Sequence, residues 1–270
     1  MYRIFVTHTH TYPNAIASRA CDSLSNFYEF DLEGNGTYED LEEEARKNNV
    51  EGFLLFSVAT NARQVEKVNS SIAALAELSR SHGFKTIGYA GMHQDYPDFE
   101  KEINRCISLG LKGVKIHPDI QSIDIDDRKL YPLYEILTAK DMPLYLHMGD
   151  NRPMYRFSEP LKLVNVLKYF PRLRVVAAHM GGYKAWGDAE MLLPGYENLW
   201  FDIASVLEYI TPEHAQRMVK KFGSDKVMFG TDYPVAGIED ELKLFMRLNL
   251  TEKERENILW NTAAKFYGIE

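Results

Sequence analysis

The sequence predicts an α/β protein built as one (β/α)8 barrel, a TIM barrel, filling residues 1–270 as a single domain. Three observations predict it. Eight short apolar runs alternate with longer helical patterns, the signature of parallel strands joined by helices. The length of 270 residues is close to the roughly 250 typical of such a barrel. Histidine or aspartate ends runs one, four, five, six and eight, or lies just beyond them. That spread converges on one place only if the sheet closes on itself, whereas an open doubly wound sheet gathers its ligand residues at a switch point.

The elements follow in order. Ile4 to Val6 leads the first strand into His8 and His10, and Pro13 to Tyr28 reads as a helix with Pro13 suited to its first turn. Gly34-Asn-Gly36 is a turn rather than a dinucleotide loop, since no strand precedes it, and Thr37 caps an acidic helix from Tyr38 to Asn48. Phe53 to Val58 is strand two, Asn61 to Ser81 a helix stopped by His82-Gly83, and Lys85 to Met92 strand three. A helix from Asp98 to Leu109 precedes strand four, Gly113 to His117, and a helix from Leu130 to Lys140 precedes strand five, Pro143 to His147. Helix Glu159–Tyr169, strand six from Arg174 to His179, strand seven from Leu199 to Ile203 and helix Pro212–Phe222 follow. Strand eight runs from Val227 to Thr231, and two helices follow it, the last from Glu252 to Tyr267.

Composition narrows the partners. A net charge of −8 and a pI near 5.6 give no electrostatic case for nucleic acid. No apolar run approaches the roughly 18 residues needed to cross a bilayer, and His8 and His10 break the first apolar stretch too early for a signal peptide. Cys21 and Cys106 lack a metal-ligand spacing, which suits core filler in a reduced cytoplasm. The expected partner is a small-molecule substrate, without nucleic acid or membrane; a homo-oligomer is left open. His82, His93 and His214 read as surface histidines.

The chemistry-bearing residues are His8, His10, His147, His179 and Asp232. Alternation on a strand puts His8 and His10 on one face, which is half of a zinc site. The same alternation groups Val175 and Ala177 with His179 on the inward face, and Met228 and Gly230 with Asp232. Any one of these residues could be a hydrogen-bonded histidine or a capping aspartate. Five at matching strand positions point to an active site at the barrel mouth.

At this point the chain resembles a known family. His8-x-His10, His147, His179-Met-Gly-Gly182 and Gly230-Thr-Asp232-Tyr-Pro234 look like the amidohydrolase superfamily. The branch they resemble more closely holds amidohydrolase-related, metal-dependent hydrolases and decarboxylases, including aminocarboxymuconate-semialdehyde decarboxylase. The resemblance runs from His8 to Asn261-Thr-Ala263, and it implies that His8, His10, His147 and Asp232 hold one divalent ion, with zinc favoured. It implies too that His179 acts as general acid/base beside a metal-activated water, with Asp232 also able to handle protons. Binuclear members carboxylate a strand-four lysine to bridge two ions. Lys115 is the candidate here, but the motif Gly113-Val-Lys115-Ile-His117-Pro looks more like the mononuclear branch, so a second ion is the less favoured option.

The favoured function is hydrolysis of a small carboxylate-bearing compound. The alternative is a non-oxidative, metal-dependent decarboxylase, and a barrel that keeps its ion for a non-catalytic purpose is less favoured. Substrate-binding candidates are Lys115 and His117 on strand four, Arg152 and Arg156 on the loop after strand five, and Tyr12, Trp186 and Tyr233 after strands one, six and eight. The two arginines could pair with a substrate carboxylate, or with Asp150 and Glu159 in their own loop.

Overall fold

The computed structural model describes residues 2–270, and its strands form where the apolar runs predict them, though most are shorter. They are Phe5–His10, Gly52–Phe56, Val114–Ile116, Leu144–Leu146, Val175–Ala177, Leu199–Asp202 and Val227–Met228, with strand three in two pieces, Ile87–Gly88 and Ala90–Gly91. Every ladder between them is parallel. The break at Tyr89 divides the ladders into two sheets, strands one to three and strands three to eight. Backbone bonds bridge the break, from Tyr89 to the Leu55 carbonyl and from Ala90 to the Gly113 carbonyl, each 2.9 Å. Strand one then meets strand eight: Thr7 donates to the Phe229 carbonyl at 2.8 Å and Asp232 to the His8 carbonyl at 3.0 Å. The barrel is closed.

Two apolar layers result. The interior holds Phe5, Leu54, Phe56, Tyr89, Tyr145, Val176, Ala178 and Met228, floored by Trp260 and Phe266 near the end of the chain. The outer layer, between strands and helices, holds Val6, Leu55, Val114, Leu144, Val175, Ala177 and their helical partners. Strand six thus reverses the expected alternation: Val176 and Ala178 face inward, while Val175 and Ala177 face the helices. His179 reaches the mouth because the chain turns there, with His179 and Met180 in the left-handed region at φ 58° and 54°. Strand one needs a correction of its own. A register shift between Val6 and Thr9 lets odd-numbered Phe5 and even-numbered His8 and His10 share the barrel interior.

The helices match their predicted positions closely. Thr37 accepts a bond from Asp40 N at 3.3 Å and caps Tyr38–Lys47, while Pro13 precedes helix Asn14–Tyr28 as its cap. His82 is exposed and pairs with Glu42. His93, expected at the surface, is buried beside Asp95, and His214 is half-buried. Cys21 and Cys106 are both free. Among the described residues no helix is long and apolar enough to cross a membrane.

Glu241, on helix Ile238–Met246, is buried and its Oε2 has no hydrogen-bond partner. Burial, reinforced by the negative charges of Asp232, Glu208, Glu33 and Asp202, raises its carboxyl well above the usual range. A carboxyl raised in the folded state costs nothing below its unfolded value, and stability falls as pH rises through the folded one. Glu241→Gln is therefore expected to raise Tm at pH 8 and to leave it nearly unchanged at pH 4. Thermal scans giving the same difference at both pH values would contradict this account.

Candidate metal centre and active site

Strand one delivers His8 and His10 to the barrel mouth, and strand eight delivers Asp232 beside them. The Asp232 carboxylate lies 3.0 Å from His8 Nε2 and 3.5 Å from His10 Nε2. Gly230 allows this approach, since a Cβ there would come within 2.9 Å of the His8 Cβ. Asp232 itself is held in the left-handed region at φ 61°, a strained conformation for a non-glycine residue and one that clusters at functional sites. Burial would raise its carboxyl, but the charge of His8 and bonds from both histidines hold it well below the usual carboxylate range. Burial lowers His10 to about 4, against the pull of Asp232. His8 is pushed down by burial and by Lys115, and up more strongly by Asp232 and Asp202.

These three residues suit a divalent cation. Their candidate ligand atoms lie within 4.8 Å of one another, and the set combines two imidazole nitrogens with an ionised carboxylate. The other nitrogen of His8 is fixed by Asp202, whose Oδ2 lies 2.8 Å from Nδ1. A carboxylate behind a ligating histidine sets its tautomer and raises its basicity. His147, the fourth expected donor, stands beside this group and engages elsewhere. Its Nδ1 lies 3.0 Å from His179 Nε2 and its Nε2 lies 3.1 Å from the Gly149 carbonyl.

His179 is oriented from both sides of its peptide. Its backbone N–H donates to Asp202 at 2.8 Å, and its Nδ1 faces the Ala204 carbonyl at 2.8 Å. A carbonyl only accepts, so Nδ1 carries a proton, and Nε2 is the nitrogen turned toward His147. Burial lowers its pKa, while Asp232 and Asp202 oppose that shift. Trp186 supports the same turn, donating from Nε1 to the His179 carbonyl at 3.0 Å.

A cavity of about 490 Å³ opens over this group, lined by His10, His117, His147, Asp232, Tyr12 and Tyr28 at its polar end. His117 stacks on His147 with centroids 3.9 Å apart and takes a 2.8 Å bond with the Tyr28 hydroxyl. The remaining expected substrate contacts fall outside it. Lys115 lies inside the barrel, its Nζ 3.4 Å from His8 Nε2 and 4.7 Å from the ring centroids of Phe56 and Tyr145. Burial lowers it to about 8, and it makes no ion pair with any described carboxylate. Tyr233 turns away to donate to Asp40 at 2.6 Å. Arg152 pairs with Asp150 at 2.7 Å, stacks on Phe27 and Tyr155, and lies outside the cavity. Arg156 is exposed and paired with Glu159. Each loop arginine finds its own acid, and the cations that do line the cavity are Arg19 and Lys67.

Asp202, Tyr28, Asp119, Arg19 and Lys67 all escaped the sequence reading. Asp202 had a visible signal, as an aspartate at the carboxyl end of strand seven. Asp119 lies 3.8 Å from His147 and forms a second cluster of potential ligands with His117 and His147. Burial raises it to about 6.

The chain is similar to known proteins. The amidohydrolase family model matches residues 7–269. Gamma-resorcylate decarboxylase of Polaromonas sp. is 22% identical over 260 residues, covering 79% of this chain and 79% of the relative. A TIM-barrel protein of Bordetella bronchiseptica superposes with a TM-score of 0.80 at 19% identity, over 99% of each chain. The structure of a dihydroxybenzoic acid decarboxylase from Polaromonas sp., with bound manganese and 2-nitroresorcinol, superposes with a TM-score of 0.71 at 14% identity, over 100% of this chain and 98% of the other.

Asp202→Asn is expected to weaken divalent-ion binding by about 10–100-fold while His8, His10 and Asp232 stay in place. Ion titration showing undiminished affinity would remove Asp202 from the centre's support.

Proposed function

We propose that this chain, which belongs to the amidohydrolase family, is a metal-dependent decarboxylase of a small carboxylated substrate. The expectation of a hydrolase gives way to the alternative stated beside it, because gamma-resorcylate decarboxylase is among the relatives and matches across most of the chain. The observation that carries the reading is the placement of the donor group at the floor of a largely apolar cavity walled by Leu24, Phe27, Val58 and Val68. Such walls strip water from a bound carboxylate and replace it with fixed protein charge.

We assign the ion to His8, His10 and Asp232, with His147 as the fourth donor. A bound divalent ion would supply positive charge that anchors an anionic substrate and draws electron density from the bond to be broken. Zinc suits these donors, and so does manganese, which the Polaromonas dihydroxybenzoic acid decarboxylase structure contains. His179 would deliver its proton from Nε2; burial holds the ring's pKa below its usual value and so favours release, while Asp232 and Asp202 oppose that shift. As the bond to the departing carboxylate breaks, its electron pair stays on the substrate carbon, that carbon takes the proton from His179, and carbon dioxide leaves. Asp232, beside the same mouth, is the second group able to handle that proton. Tyr28 and His117 line the polar end and orient the substrate.

Purified protein is expected to bind about one divalent ion per chain. His8→Ala and Asp232→Ala should lose it, and Lys115→Met should keep it. Elemental analysis finding two ions, one of them lost with Lys115, would establish the bridged binuclear alternative instead. Incubation of the loaded enzyme with hydroxylated benzoates should release carbon dioxide. His179→Asn should slow that release by about 10²–10⁴-fold with the ion retained. Hydrolysis of esters, amides or lactones without carbon dioxide release would overturn the decarboxylase reading.

A further inference from the structure

The cavity is larger than the reaction requires. At no more than about 30 Å³ per heavy atom, the share of a water molecule in the liquid, a nine-atom benzoate occupies about 270 Å³ at most. The cavity holds about 490 Å³, so a single carboxylated ring at the histidine end leaves a large volume beyond it. That volume lies between two helices. Helix Asn14–Tyr28 lines it with Ile16, Ala20, Leu24 and Phe27, a stripe at helical spacing. Helix Val65–Ser81 contributes Lys67, Val68 and Ser71 from one of its faces.

Each helix places one cation in that lining, Arg19 from the first and Lys67 from the second. Both are exposed, whereas His10, His117 and His147 are buried, so the cations mark the solvent end and the histidines the floor. Neither cation forms an ion pair with a described residue. In this they differ from Arg152 and Arg156, each of which is paired with an acid.

We infer that Arg19 and Lys67 form a second anion subsite at the solvent end of this cavity, selecting substrates in which an apolar body separates the reacting carboxylate from a distal anionic group. The inference rests on the proposed placement of the reacting carboxylate at the histidine and aspartate end. An arginine fork takes a carboxylate through two hydrogen bonds and a lysine adds a mobile point charge. The distal group stays bound while the reacting one departs, so this subsite also retains the product until carbon dioxide has left.

Two probes of matched body test it: 3-phenylpropanoate and 3-(4-carboxyphenyl)propanoate, titrated calorimetrically into the metal-loaded protein at low salt. The dianion is expected to bind roughly tenfold more tightly, an advantage that shrinks at high salt because exposed charges are screened. Arg19→Gln and Lys67→Met should each remove about fivefold from the dianion's affinity. The double variant Arg19→Glu/Lys67→Glu should reverse the preference in favour of the monoacid. Equal affinity for the two probes, no binding of either, or variants that weaken both alike would overturn the subsite. The outcome is independent of turnover. A dianion preference without carbon dioxide release from any acid leaves the subsite standing and removes the decarboxylase reading; carbon dioxide release with no dianion preference does the reverse.

Discussion

Asp202 accepts hydrogen bonds from the His8 ring, the Tyr145 hydroxyl and the backbone amides of His179 and Ala204, all without contact with solvent. Those partners come from strands one and five and from the turns after strands six and seven. A buried carboxylate costs several kcal/mol to desolvate unless every lone pair is used, so the barrel reaches its free-energy minimum only when these elements are in register around it. The same condition fixes the His8 tautomer and the position of the His179 backbone. Fold and site are thus specified by one electrostatic requirement. Burial would push the Asp202 carboxyl up, yet the neighbouring His8 holds it lower than usual, which keeps a full negative charge behind the candidate centre.

Much of this was legible in the residues themselves. Eight apolar runs gave eight strands, because a barrel strand buried on both sides must be apolar almost throughout. The gathering of His8, His10 and Asp232 was legible for the same reason, since each lies at the carboxyl end of such a run. Facing directions were less so. Alternation assumes a regular strand, and the register shift in strand one and the left-handed turn at His179 each break it, through backbone geometry that leaves little trace in side-chain chemistry. Asp202 carried the same signal, an aspartate near the carboxyl end of strand seven, but what it does there depends on partners from other strands that no local pattern reveals. Arg152 and Arg156 misled because a loop's position was read as its side chains' direction. The acids two and three residues away, Asp150 and Glu159, are closer partners than any ligand in the cavity.

Strain follows the same geography. His179, Met180, Ser205 and Asp232 all adopt positive φ without being glycine, and all four lie where a strand gives way to the mouth. Each such residue costs of order 1 kcal/mol or more, and surrounding bonds compensate, such as Ser205 Oγ to Asp232 at 3.1 Å and Val235 N to the Asp232 carbonyl at 2.8 Å. Five further non-glycine residues at positive φ, Glu29, Asn49, Ser122, Asp141 and Lys184, lie in turns and at helix ends.

The seam between strands one and eight joins residues more than two hundred positions apart, such as Thr7 and Phe229. Contacts of that span form late, because the entropy of closing so long a loop must be met before they contribute anything. The candidate donors His8, His10 and Asp232 straddle this seam, so during synthesis this set is incomplete until the last strand has left the ribosome. An ion held by the three together would therefore not nucleate the fold in the way zinc organises a small finger domain. It would reach an assembled barrel, and its identity would be decided after folding, by what the cell then has to offer.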